Sequence, residues 1–265
     1  MSETAHDPLR APRDPLRDWY RQFPPFTVGG SLYAVPPAHR AATAAALAAR
    51  DCRVHIDIIV DATGRGLGVS ARELAEARAA APYARIDLHL IVADTLPAAL
   101  AAEVVGETVA TALRTGAEAV TMDLARIGRH PAAVEALHRG GVALWLEHTP
   151  RARVLEVPPG VDGALVMFIP PGTKQSADPS MLTEVGRLAA TLPTAVDGGI
   201  TAPVAARCAE RGAAYIVAGR SLLTAAVPSA PAPAPASVPA SVPAPASVSA
   251  PAPAPRTENH REDLP

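Results

Sequence analysis

Residues 53–60 read RVHIDIIV and residues 85–92 read RIDLHLIV. Each is a run of aliphatic residues interrupted at alternate positions by a group that ionises. Successive side chains of a strand point to opposite faces, so His55 and Asp57 share one face while Val54, Ile56 and Ile58 share the other. Asp87 and His89 repeat the device, and residues 194–199, TAVDGG, end a third apolar run in Asp197. These runs suit strands buried on both sides, with polar groups admitted on one.

Outward from them the same alternation of short strands and Ala-rich helices continues. Strands are predicted at 26–33, 53–60, 85–92, 119–124, 142–147, 164–169, 194–197 and 214–218. Helices are predicted at 39–50, 71–81, 96–114 with a break near Gly106, 131–139, 179–192 and 203–211. Short helical turns are expected at 150–155 and after Arg220. Repeated βα units imply a parallel sheet covered on both faces, and eight of them imply a closed (β/α)8 TIM barrel. An open doubly wound sheet is the rival, but no Gly-x-Gly-x-x-Gly turn follows the first strand.

The 265 residues permit one or two domains. Much of the proline lies in 227–255, which is built almost wholly from Ala, Pro, Ser and Val, followed by RTENHREDLP at 256–265. Such a tract lacks the large apolar groups that offset ordering entropy, so 227–265 is expected to be a disordered tail. The Arg-, Asp- and Pro-rich residues 1–23 are expected to be loosely ordered. A single barrel domain at 24–226 is left between them.

The formal net charge of -2 argues against nucleic acid as a partner. No apolar run reaches the ~18 residues of a membrane span, and residues 1–23 do not resemble a signal peptide. Two cysteines, Cys52 and Cys208, make neither a disulfide framework nor a zinc site. With no export signal, they are expected to be reduced thiols of a cytoplasmic protein, one that assembles with copies of itself. Lys174 is the only lysine in the chain.

Buried carboxylates and imidazoles are costly unless they pair or bind a metal. His55, Asp57, His89 and Asp197, on three inward strand faces, suit a divalent transition metal. The plainer reading is a set of ordinary buried hydrogen-bond pairs.

With those segments in order, the chain resembles the ribulose-phosphate 3-epimerase family over most of 26–223. The matches are Ser31 after the first strand, His55-Ile-Asp57, Asp87-Leu-His89-Leu, and Gly141-Val-Ala-Leu in strand five. They continue with Val-Met167, Pro171-Gly172, Val-Asp197-Gly198-Gly199-Ile and Ala-Gly219-Arg220. The resemblance implies a divalent metal (Zn, Fe, Mn or Co) held by His55, Asp57, His89 and Asp197. It implies that Asp57 and Asp197 serve as acid and base on opposite faces of a ketose phosphate, by proton transfer through an enediolate. Ser31, His89, Gly172, Lys174, Gly198, Gly199, Gly219 and Arg220 would contact substrate, the late glycine loops and Arg220 cradling its phosphate.

Two loops depart from the family pattern. Residues 59–68, IVDATGRGLG, lack the expected aromatic, and isoleucines at Ile59 and Ile91 replace two methionines, whereas Met167 stays. Residues 171–175, PGTKQ, lack the family's paired glycines and bring in Lys174. A changed sugar substrate and a non-catalytic ligand-binding module are the alternatives. A Schiff-base aldolase has only Lys174 to use. A decarboxylase or synthase of the related barrels would carry Asp-x-Lys-x-x-Asp on strand two or three, where no lysine occurs.

Overall fold

Eight parallel strands close into a ring in which each pairs with its sequence neighbours and the last returns to the first. They are β1 (Val28–Ser31), β2 (Arg53–Val60), β3 (Ile86–Val92), β4 (Ala119–Met122), β5 (Ala143–His148), β6 (Gly163–Met167), β7 (Thr194–Asp197) and β8 (Tyr215–Ala218). The chain is seen here in a computed structural model that describes residues 15–149, 157–171, 173 and 175–224. The helices are α1 (Arg40–Ala48), α2 (Ala71–Ala80), α3 (Ala98–Thr115), α4 (Leu124–Arg129), α5 (Pro131–Arg139), α6 (Met181–Ala189) and α7 (Ala202–Glu210). This is the TIM barrel that the strand series predicts. The expected turn at 150–155 and the tail from 227 lie outside the described residues. No helix among those described is long and apolar enough to cross a membrane.

Alternation sorts the side chains as expected. Val54 and Ile56 face outward into a cluster with Leu47, Leu74 and Ala77 of α1 and α2. A second outer cluster joins Val196 and Ile216 to Val185, Leu188 and Cys208. Inside the ring, Leu165, Met167, Ala195, Tyr215 and Val217 pack together, with Trp145 against them. Two glycines make room for the interior aromatics. A Cβ on Gly29 would lie 2.7 Å from the Tyr215 ring, and one on Gly163 2.6 Å from the Trp145 ring. Interiors packed to crystal density cannot absorb such an overlap without moving the ring.

Three elements differ from the sequence reading. β1 stops at Ser31 because a 3-10 turn, Leu32–Ala34, follows at once. Helix α3 runs unbroken through Gly106, where a Cβ would meet nothing within 4 Å. A glycine in a helix costs only about 1 kcal/mol, and Val105, Val109 and Ala112 bury the opposite stripe. Helix α4 is unforeseen: the Asp123 side chain accepts from the Arg126 amide at 3.0 Å, ending β4 and capping the new helix.

After β8 only a tight turn forms among the described residues, with the Leu222 and Leu223 amides donating to the Gly219 carbonyl. Residues of the N-terminal segment pack against this turn, the Arg17 amide donating to the Leu222 carbonyl at 2.8 Å. Leu16 bridges Leu223, and a 3-10 helix, Asp18–Gln22, sets Trp19, Tyr20 and Phe23 against the outer clusters. Trp19 Nε1 donates to the Ser221 carbonyl at 2.9 Å. The described part of the segment expected to be loose is thus packed on the barrel, because its aromatics meet the outer clusters and Trp19 hydrogen-bonds a residue 202 positions away.

Beyond His55, the β1 side of β2 is free because β1 has ended. Residues 65–69 fold back along it: the Leu67 amide donates to Ile59 and the Val69 amide to Asp57, at 2.8 and 2.7 Å. The glycine-rich loop that departs from the family pattern therefore completes the hydrogen bonding of β2 beside Asp57.

Candidate metal centre and cavity

The inward faces of β2, β3 and β7 bring His55, Asp57, His89 and Asp197 to one point. One ligand atom from each lies within 4.8 Å of all the others. His55 Nε2 stands 3.3 Å from Asp57 Oδ1 and 3.9 Å from Asp197 Oδ2, and His89 Nδ1 stands 3.4 Å from Asp57 Oδ1. Both histidines are fully buried.

The opposite nitrogen of each ring is held by a carboxylate. His55 Nδ1 lies 2.5 Å from Asp87 Oδ2, and His89 Nε2 lies 2.7 Å from Glu147 Oε2. A carboxylate can only accept, so these nitrogens carry hydrogens, and in the neutral rings the lone pairs lie on His55 Nε2 and His89 Nδ1. Those two atoms are buried without a hydrogen-bond partner. An orphaned buried nitrogen is expensive, and two of them beside two carboxylates fit a divalent cation with two nitrogen and two oxygen donors.

Each carboxylate is also held. Ser31 Oγ donates to Asp57 Oδ2 at 2.7 Å, and the Gly198 amide donates to Asp197 Oδ1 at 2.6 Å. Asp87 takes a second bond, 2.7 Å, from the Tyr215 hydroxyl. Burial, reinforced by the Asp87 charge, holds that phenol well above its ordinary pKa, so it stays a donor.

Without a metal, protons compensate the charges. Burial works against a charged His55, but Asp87 and Asp57 outweigh it and raise its pKa well above the usual value. Burial likewise opposes a charged His89, yet the carboxylates of Asp57 and Glu147 on either side of the ring carry it to about 9. Burial would raise Asp57, but the two imidazoles hold it far below the usual carboxylate range. Burial, with the Asp57 charge adding to it, pushes Asp197 up to about 6. A cation entering here must displace those imidazole protons.

Above the cluster opens a cavity of about 850 Å3. Asp57 and Asp197 lie on its floor, Ile59, Ile91 and Met167 on its walls, and Ser31, Gly198, Gly199, Gly219 and Arg220 around it. It lies on the side of the C-terminal strand ends, where barrel sites are built. Gly198 and Gly199 have φ of 100° and 68°, and a Cβ on Gly198 would lie 2.7 Å from Ile169. The Gly198 amide serves Asp197, whereas Gly199 lines the cavity beside the start of α7. Gly172 and Lys174 lie outside the described residues. His148, at the end of β5, faces outward, buried with Nε2 3.3 Å from Glu184.

Comparison with known proteins accords with this arrangement. A family model described as the ribulose-phosphate 3 epimerase family matches residues 27–223. The chain belongs to the ribulose-phosphate 3-epimerase family. No curated protein matches it. Among solved structures, a mutant tryptophan synthase alpha-subunit from Pyrococcus furiosus is similar, with TM-score 0.53 and 14% identity over 75% of this chain and 89% of that one. A tryptophan synthase complex from the same organism gives TM-score 0.51 and 14% identity, with the same coverage. At such identity the likeness concerns the barrel alone, and the family assignment rests on the sequence match.

The roles of Asp87, Tyr215 and Glu147 were not anticipated. Asp87 sits in the same alternating pattern as the four cluster residues, so the pattern could not separate them from a group that orients one of them. Glu147 is also at an alternate position, following Trp145 on the inward face of β5, but one polar residue at a strand end carries little signal.

Proposed function

We propose that the chain is a metal-dependent ketose-phosphate 3-epimerase, most simply one that interconverts D-ribulose 5-phosphate and D-xylulose 5-phosphate. The observation that carries the reading is the pair of unpartnered, buried imidazole nitrogens set against two carboxylates on the floor of one cavity. Family membership supports the reaction class. His55, Asp57, His89 and Asp197 would hold the cation, which when bound supplies Lewis-acid polarisation of the substrate carbonyl.

Epimerisation beside a ketone removes a proton from one face of the carbon and returns a proton to the other. Asp57 and Asp197 come from β2 and β7, three places apart in the ring, so their carboxylates approach the cavity from well-separated directions. One carboxylate oxygen takes the proton, an enediolate forms, and the other carboxyl group delivers a proton to the far face. Ser31 and the Gly198 amide fix the two groups, and Ile59, Ile91 and Met167 keep water from the reacting carbon.

Gly199, Gly219 and Arg220 would bind the phosphate with the first turn of α7. Its N-cap, Thr201, makes no side-chain bond to the helix, which leaves first-turn amides for an anion. Gly172 and Lys174, between β6 and α6 in the sequence, are proposed to contact the same phosphate. The test is a panel of ketose phosphates incubated with protein loaded with Zn, Mn, Co or ferrous iron, and with chelated protein, followed by NMR. Epimerisation of D-ribulose 5-phosphate that is lost on chelation and restored by metal supports the proposal. Preference for another ketose phosphate would redirect the substrate, and bound metal without turnover of any would favour the ligand-binding reading.

A further inference from the structure

We infer that Glu147 is a positioning residue that sets how His89 presents itself to a metal, and with it the affinity of the centre. The inference rests on the metal reading above and concerns a residue outside the four-residue cluster. Glu147 occupies the inward face of β5, the side chain of which is only 8% exposed, and its Oε2 lies 2.7 Å from His89 Nε2. Its neighbours on the strand, Leu144 and Leu146, point outward into the helical layer, so strand alternation leaves Glu147 no other direction.

The two histidines are mounted differently. His55 is held through Nδ1 and offers Nε2, whereas His89 is held through Nε2 and offers Nδ1. Imidazole has two tautomers, and only the partner of the outer nitrogen selects the one whose lone pair faces the cluster. For His55 that partner is Asp87, itself fixed by Tyr215. For His89 it is Glu147, which reaches across from β5 although His89 lies on β3. Without Glu147, the outer nitrogen of a fully buried ring would lose its acceptor. The proton could then move to Nδ1, where it would block the cation. The carboxylate charge also strengthens the imidazole as a donor, an effect that a neutral amide of the same shape would not reproduce.

The experiment compares wild type, Glu147→Gln, Glu147→Leu and the surface control Glu135→Gln, all checked for folding by circular dichroism. Zinc affinity is measured by competition with a chromogenic chelator, and cobalt(II) substitution is followed by visible absorption. Loss of the carboxylate in Glu147→Leu is expected to weaken zinc binding about 10- to 100-fold, with a changed cobalt spectrum. Glu147→Gln, which keeps an acceptor oxygen but loses charge, should fall between Glu147→Leu and wild type, and the control should match wild type. If Glu147→Leu does not fold, the size-matched Glu147→Gln carries the comparison. Variants that bind zinc within twofold of a metal-binding wild type overturn the inference alone. A wild-type chain that takes up no metal overturns the metal reading and this inference together.

Discussion

Replacing Tyr215 with phenylalanine removes one oxygen from the barrel interior and leaves the ring that fills the space beside Gly29. The lost group is the donor of a 2.7 Å bond to Asp87 Oδ1, and both partners are buried, at 2% and 6% exposure. Asp87 Oδ2 keeps His55, so one carboxylate oxygen loses its donor while the other is unchanged. A hydrogen bond to a charged group contributes ~1.5–3 kcal/mol, and little cavity cost adds to it because the ring remains. In a barrel of this size each kcal/mol moves the melting temperature by roughly 2–4 °C, so a drop of about 3–12 °C is expected. The assay is thermal unfolding for the midpoint and urea unfolding for the free energy, both on metal-free protein, with Tyr83→Phe as control, since Tyr83 is 97% exposed. A Tyr215→Phe variant within ~0.5 kcal/mol of that control, where ordinary surface changes fall, would refute the argument that Asp87 depends on this donor.

Three further outcomes follow from the same packing. Gly68→Ala places a Cβ against the Asp57 carbonyl and 2.6 Å from the Ile59 amide nitrogen, so denaturant unfolding should show a loss of ~1–3 kcal/mol. Burial pushes Cys52 and Cys208 up to about 12, which keeps both neutral at pH 8; a disulfide reagent should label neither thiol in the folded protein and both after unfolding. Zinc at a hundredfold excess over its dissociation constant should add about 2.7 kcal/mol to unfolding stability, an increment that chelator removes and that His89→Ala largely abolishes.

The fold was legible because the barrel imposes a strict alternation on its strands. Helical Ala-rich stretches between them left few other architectures. In β2 and β3 the same alternation exposed His55, Asp57 and His89, and in β7 the end of the apolar run exposed Asp197. Groups that hold these four side chains were harder to see. Asp87 and Glu147 obey the same period as the cluster residues, and only distance separates a cluster residue from its support. Tyr215 reads as one more apolar strand residue until its hydroxyl is placed against Asp87. Trp19 lay in a stretch whose arginines and prolines suggested weak order, and its hydrogen-bond partner, Ser221, is 202 residues away. The start of α4 depends on one cap at Asp123, which local composition extended instead as strand.

The two-carboxylate mechanism is tested most directly by solvent-deuterium exchange at C3 of D-ribulose 5-phosphate, followed by proton NMR in metal-loaded wild type and Asp197→Asn. Wild type should wash deuterium into C3 while forming the epimer. Asp197→Asn, with its metal content measured alongside, should lose epimer formation by at least ~100-fold, as expected when a positioned acid-base group is removed. Exchange and epimerisation in Asp197→Asn at the wild-type rate would contradict the account.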